Sequence, residues 1–235
     1  MIIPNKNLFV VSSCLYPKIG VICNEERVLQ TINTFKSIRN IPNSIIVFSD
    51  ASIDKIPDET LSLFEGLYDV YLNHSNNEEI RRMSLAGAKS PAETLLLLNT
   101  ISSFKNDFTM MKILSSVKRI FKISGRYSIS EDFDINDYDG LFGKYVFKTR
   151  MESWMPKNVQ SQFNSTDLLV TRLFSFCPSL IDNYIQVLIN NFQYLSMGFD
   201  TEHAHFLNID KKYLVEFDTI GVEGIIASNK ETIKE

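Results

Sequence analysis

The sequence predicts a single α/β domain with a parallel sheet at its front and a mixed sheet behind it. Three observations carry that prediction. Apolar runs of strand length alternate with helical stripes through residues 8–124, and no internal repeat or linker rich in Pro, Gly or Ser divides the chain. At 235 residues and 44% apolar content there is enough material for one large core.

Residues 8–13 form an apolar run ending in small polar residues, the pattern of a strand buried on both faces. Glu25 and Glu26 then supply first-turn acids, and Val28, Ile32 and Phe35 make one stripe of a helix ending near Arg39, before Asn40 and Pro42. Residues 44–48 are a second buried strand, completing a βαβ unit with an expected right-handed crossover. Residues 68–72 predict a third strand. An apolar helix follows over 91–104, with Pro91 in the first turn where its missing N–H costs nothing, and another helix over 107–117. Residues 119–124 return to the sheet and run into Gly125, and 130–143 is acidic and turn-rich. Residues 144–148 and 168–176 read as later strands. Ile181, Ile185, Leu188 and Phe192 mark one face of a helix over 179–194, and a shorter helix begins near Asp200. Strand 213–217 and segment 221–227 close the chain. The front half is Rossmann-like, so the functional cleft belongs at the carboxyl ends of its strands.

Composition limits the partners. With 24 Lys+Arg against 28 Asp+Glu the net charge is -4, which excludes a generally basic nucleic-acid coat and leaves small molecules or proteins. No apolar run approaches the ~20 residues of a membrane span. Pro4, Asn5 and Asn7 stand where a signal peptide would be apolar, so export is not expected. Three cysteines, Cys14, Cys23 and Cys177, have no CxxC spacing and fit a reduced compartment, the cytoplasm of a cell or of an infected host cell.

The strand ends select the residues with chemistry. Asp50 and Ser52 follow the second strand, where a carboxylate can accept hydrogen bonds from a ribose hydroxyl or the N–H of a uracil-like base; they can equally make an Asx or Ser turn. Ser13 ends the first strand, and Gly125, Arg126 and Tyr127 end the central one. Gly125 permits close backbone approach or a positive φ, Arg126 offers a planar fork for phosphate or carboxylate, and Tyr127 a stacking face.

The stretch 25–54, with Thr31, Thr34, Ser37, Ile38 and Arg39 followed by SIIVFSDASID, resembles the opening βαβ unit of GT-A fold glycosyltransferases. In that family the second strand often ends in Asp-Asp-Gly-Ser-x-Asp, which holds the nucleoside of a sugar donor. Asp50, Ser52 and Asp54 match, while Ser49 and Ala51 replace the first Asp and the Gly. The segment 86–101, AGAKSPAETLLLLNTI, is similar to the loop and helix that approach the donor ribose or diphosphate, which makes Lys89 a candidate point charge or else a solvated surface lysine. The resemblance implies a nucleotide-binding half, 1–127, and an acceptor half, 128–235.

One departure from the family is informative. Where the central strand commonly ends in a metal-binding Asp-x-Asp, this sequence reads Lys122-Ile123-Ser124-Gly125-Arg126-Tyr127. The substitution suggests guanidinium in place of metal. Alternatively Arg126 pairs with Glu131, Asp132 or Asp134 nearby, or Asp132 and Asp134 hold a displaced Mn or Mg ion.

The run Gly198-Phe199-Asp200-Thr201-Glu202-His203-Ala204-His205 resembles the family's acidic helix start, whose carboxylate takes the acceptor proton in inverting members. Asp200 is the better helix cap by type and position, leaving Glu202 as the better base. His203 and His205 diverge by about 200° on a helix, so they make weak metal ligands. Gly221 and Gly224 suggest a tight loop packing back on the site, and Trp154 with Met151 and Met155 suggests an acceptor-side apolar platform.

The resemblance thus implies a glycosyltransferase moving a sugar from a nucleotide-diphosphate donor to a carbohydrate or related hydroxyl acceptor, with no certain cofactor. The alternative is a non-catalytic nucleotide-sugar or glycan-binding module. A nucleotidyltransferase or a dinucleotide-dependent oxidoreductase is disfavoured, because Ser12-Ser13-Cys14-Leu15-Tyr16 is no Gly-rich phosphate loop.

Overall fold

A computed structural model describes residues 5–17, 22–226 and 231–235. The front half runs β1 (Lys6–Ser13), α1 (Asn24–Arg39), β2 (Ser44–Asp50), α2 (Asp58–Ser62), β3 (Val70–Asn73), α3 (Glu78–Leu85), α4 (Lys89–Asn106), α5 (Phe108–Leu114), β4 (Val117–Ser124) and β5 (Tyr127–Ile129). The second half adds β6 (Tyr145–Lys148), β7 (Met151–Glu152), α6 (Lys157–Phe163), β8 (Asp167–Leu168), β9 (Leu173–Phe176), α7 (Ile181–Leu195), α8 (Thr201–Asn208), β10 (Leu214–Phe217), β11 (Val222–Ile225) and β12 (Thr232–Lys234).

Among the described residues seven strands form one sheet in the order β10-β6-β9-β4-β1-β2-β3. β1, β2, β3 and β4 are mutually parallel, whereas β9 runs antiparallel to both β4 and β6. The front is therefore parallel and the rear mixed. β4 is the middle strand of the seven, and β1 beside it has residues 7–13 buried, because both its faces are covered. Leu8 and Val10 join Leu97, Ile101, Phe104 and Leu188 of α4 and α7 on one side. Phe9 and Val11 join Val28, Phe35 and Ile38 of α1 on the other, as the two-residue period of a strand requires.

Several helix starts follow from their caps. Asp107 accepts from the Met110 N–H (3.0 Å), Asp200 from the His203 N–H (2.8 Å) and Asn77 from the Ile80 N–H (3.0 Å). α3 has no counterpart among the sequence expectations. It is only eight residues long, half of them Glu or Arg, and Ile80 is its one buried residue.

The expected single strand over 168–176 is instead two pieces. β8 pairs with β7 in a separate small sheet, and only β9 enters the main one. Between them the Thr171 carbonyl accepts from Lys122 Nζ (2.9 Å) and the Arg172 carbonyl from the Ser124 N–H (3.1 Å). In the segment expected over 221–227, Val222–Ile225 is strand β11, and Ala227 lies outside the described residues.

β11 pairs antiparallel with β5, laying the C-terminal segment against the residues that follow Arg126. Gly221 makes this possible. It has φ +67°, and a Cβ there would stand 2.4 Å from backbone atoms of Phe133. Gly221→Ala is expected to lower the unfolding free energy by about 3 kcal/mol, from overpacking and backbone strain together, read as a shift in urea midpoint with unchanged slope.

Candidate active site

The carboxyl ends of β1, β2 and β4 open, as the strand order requires, onto a cleft of about 400 Å³ lined by Ser12, Ser13, Arg27, Lys89, Glu93, Ser124, Gly125 and Arg126 among others. α1 fixes its far wall through a row of hydroxyls. Thr31 Oγ1 donates to the Gly125 carbonyl (2.7 Å), Thr34 Oγ1 to the Tyr127 carbonyl (2.8 Å), and Ser37 Oγ accepts from the Ile129 N–H (2.9 Å). Spaced three apart, these side chains share one helix face and tie α1 to β5. Gly125 is needed for that approach, because a Cβ would stand 3.1 Å from Thr31 Oγ1 and 3.2 Å from Ser13 Cβ.

Arg126 faces the cleft. Its Nε is buried and has no hydrogen-bond partner among the described residues, and the guanidinium carbon sits 5.2 Å from the centroid of the Tyr127 ring. Tyr127 itself is 1% exposed, so its ring packs inside rather than facing a ligand. Asp132 is paired elsewhere, with Lys234 Nζ at 3.0 Å, which also takes Glu131. Asp134 caps a short turn by accepting from the Asn136 N–H (2.9 Å). No group of three or more His, Cys, Asp or Glu stands together to hold a metal among the described residues.

Asp50 is fully buried behind the cleft wall. One carboxylate oxygen accepts the Leu15 N–H (3.0 Å) and the other the Ser52 N–H (2.8 Å), while Ser52 Oγ accepts the Tyr16 N–H (3.0 Å). Both residues thereby shape the loop after β1. Ser13 lines the cleft directly, and Lys89 does so from the exposed first turn of α4.

A charge is buried at the base of the site. Lys122, 1% exposed, donates to Glu93 Oε1 (2.8 Å), Ser124 Oγ (3.0 Å) and the Thr171 carbonyl, which satisfies all three ammonium hydrogens. Burial alone would raise the Glu93 pKa, but the charge and hydrogen bond of Lys122 hold it below the usual carboxylate range. Thr171 then donates to Glu202 Oε1 (2.8 Å). Glu202 has its pKa raised by burial and by the neighbouring charge of Asp200, and it does not line the cleft.

Asp200 is engaged twice, as the cap of α8 and by His203 Nδ1 at 2.6 Å. That contact leaves His203 Nε2 to accept from Ser153 Oγ (2.9 Å). Acid, imidazole and hydroxyl follow one another, but Ser153 is 5% exposed and does not line the cleft, so the arrangement braces the segment after β7 against α8. His205 is fully buried and donates from Nδ1 to the Thr201 carbonyl (2.8 Å); burial pushes its pKa down to about 4. Trp154, 68% exposed, meets His203 edge-on at 5.1 Å beside exposed Met151, whereas Met155 is buried.

The structure thus brings Ser13, Lys89, Gly125 and Arg126 to one cleft, and places Asp50, Ser52 and Tyr127 behind its walls. Arg27, Glu93 and Lys122 join the site without having been singled out in the sequence. Lys122 had a signal: a lysine inside Ile120-Phe121-Lys122-Ile123 must find a partner if that strand is buried.

No protein-family model matches the chain, and no curated protein matches it. Solved structures do resemble it. Core-mannan synthase A from Aspergillus fumigatus, in its Mn/GDP form, superposes with a TM-score of 0.48 and 13% identity over 93% of this chain and 74% of that one. A glycosyltransferase involved in glycosylation of the major capsid of PBCV-1 gives 0.48 and 9% over 90% and 81%. The bifunctional glycosyltransferase WbbM gives 0.50 and 10% over 90% of this chain, which spans 38% of that protein. With the strand order, the likeness to WbbM at a TM-score of 0.50 shows the fold alone, α/β and GT-A-like. No helix among the described residues is long and apolar enough to cross a membrane.

Two measurements follow from the buried charges. Glu93→Gln strands the Lys122 ammonium at 1% exposure and is expected to cost about 3 kcal/mol. Lys122→Met costs less, since the Glu93 side chain is 34% exposed and can rehydrate, and the double variant recovers most of the loss in a denaturant cycle. For Asp50, burial pushes the carboxyl up to about 6 against the pull of its hydrogen bonds. The folded protein then keeps a proton that the unfolded chain loses near its ordinary value of 3.8, so stability falls as pH rises from about 4 to 6. The loss is about 3 kcal/mol, and Asp50→Asn is expected to flatten that part of the curve, read from urea midpoints across the window.

Proposed function

We propose that this chain is a glycosyltransferase that moves a sugar from a nucleotide-diphosphate donor to a carbohydrate or related hydroxyl acceptor, as a step in glycan assembly. The observation that carries the reading is Arg126, whose guanidinium faces the cleft at the strand ends with a buried, unpartnered Nε. A GT-A-like fold supports it. In the reaction the acceptor oxygen bonds to the anomeric carbon while the bond from that carbon to the phosphate oxygen breaks. The electron pair leaves on the diphosphate. Arg126 and Lys89 neutralise that charge, and Glu202 or Asp200 takes the acceptor proton, Glu202 being the better base because its raised pKa favours holding a proton.

Residues 1–127 supply the donor half and 128–235 the acceptor half, where exposed Trp154 and Met151 offer an apolar face to a sugar ring. Ser13, Asp50, Ser52 and Gly125 serve the donor by shaping the loop and floor it rests on. The diphosphate is met without metal in this reading. The cleft acid Glu93 already answers to Lys122, and Asp132 to Lys234. Free Cys14, Cys23 and Cys177 suit a cytoplasmic location in a cell or infected host cell.

A second reading is a non-catalytic nucleotide-sugar or glycan-binding module. One observation favours it: Asp200 is engaged by His203, and Glu202 by Thr171, outside the cleft. Titration calorimetry with UDP, GDP, CDP and TDP sugars, with and without manganese, tests the donor site. Binding of at least one without metal is expected, weakened about 10- to 100-fold in Arg126→Gln. Binding of none under either condition overturns the reading, and binding without transfer over a broad acceptor panel selects the module.

A further inference from the structure

Arg126 does not stand alone in the cleft. Arg27, from the first turns of α1, lines the same space, and its charge is close enough to Arg126 that burial and like-charge repulsion together lower its pKa. Its guanidinium meets a neutral acceptor: Arg27 Nη1 donates to Gln30 Oε1 at 2.9 Å. The Gln30 amide nitrogen, like Arg126 Nε, is buried without a hydrogen-bond acceptor among the described residues. Against these donors and Lys89, the cleft lining offers one carboxylate among the described residues, Glu93, and that one is held by Lys122. Positive charge therefore outweighs negative in the cleft lining among the described residues, although Glu26 is near enough to act on Arg27 and Glu93 near enough to act with Arg126.

One side chain connects the two arginines through the backbone. Thr31 Oγ1 lies 3.0 Å from the Arg27 carbonyl, four residues back on α1, and 2.7 Å from the carbonyl of Gly125, the residue preceding Arg126. A single hydroxyl thus links the stems of both guanidiniums. Ser13 Oγ at 3.4 Å and the close approach of Gly125 leave it little room to move.

We propose that Arg27 and Arg126 form a two-armed clamp, pinned at fixed spacing by Thr31, that takes two adjacent phosphate groups in preference to one. Each guanidinium presents a planar fork matched to one phosphate, and two forks on separate elements match a pyrophosphate linkage. A lone phosphate engages one fork and leaves the other charge uncompensated. The inference rests on reading this cleft as the donor site, and it adds Arg27 to Arg126 and Lys89 as a group that meets the diphosphate. Arg27 and Arg126 are binding residues here. Thr31 is a positioning residue, acting through the backbone of both.

The test is calorimetric titration of the full chain with inorganic pyrophosphate and inorganic phosphate at constant ionic strength in EDTA. Wild type is expected to bind pyrophosphate at least about tenfold more tightly than phosphate. Arg27→Gln and Arg126→Gln should each abolish that preference, and each unliganded variant should melt at or above the wild-type temperature, because like-charge repulsion is relieved. Thr31→Val should reduce the preference and Thr31→Ser restore it, which a merely stabilising hydroxyl would not do. Wild-type pyrophosphate affinity in Arg27→Gln overturns the clamp while leaving a donor site at Arg126. If folded wild type binds neither pyrophosphate nor any nucleotide sugar, the clamp and the donor reading fall together.

Discussion

Lys122 sets the electrical character of the site. Its ammonium is carried into a buried sheet, where three acceptors meet it and one of them is the carboxylate that faces the cleft. A charge in that position must be paired, since an unpaired ammonium away from water costs several kcal/mol. Pairing it with Glu93 removes the carboxylate from the chemistry of the cleft. What is left facing a ligand is Arg27, Lys89 and Arg126. The interior of the protein thereby gives the cleft a positive balance in a chain whose net charge is -4.

The wall opposite depends on a different constraint, the closeness of α1 to the end of β4. Hydroxyls at positions 31, 34 and 37 reach carbonyl and amide groups of residues 125–129, and Gly125 leaves them room. β11 then covers β5 from the far side, with Gly221 fitted against the Phe133 backbone. The backbone on either side of Arg126 is held between α1 and the paired strand β5, which fixes the point from which its side chain projects. Preorganisation of this kind lowers the entropy cost of binding a charged ligand.

Much of the fold was legible because buried strands and amphipathic helices leave strong periods. The run Leu8-Phe9-Val10-Val11 and the stripe Val28, Ile32 and Phe35 predicted β1 and α1 directly. α3 was not legible, being short and rich in charge with only Ile80 buried, and 168–176 looked continuous because Leu169 and Val170 are apolar although the backbone there leaves the main sheet. In the site, Arg126 was visible as a departure from a resembled pattern at a strand end. Asp50 was visible too, but its two backbone donors, Leu15 and Ser52, depend on how the loop after β1 folds. Arg27 and Glu93 were not visible, since a charged residue on a helix reads as surface until a cleft is found beside it.

The most direct measurement is a crystal structure of the full chain with a nucleoside diphosphate, grown in EDTA. The account predicts phosphate oxygens within hydrogen-bonding distance of the Arg126 guanidinium, with the base and ribose against the loop that Asp50 shapes. A diphosphate bound away from Arg126, or bound only when a cation is supplied on carboxylates such as Asp132 and Asp134, would contradict it.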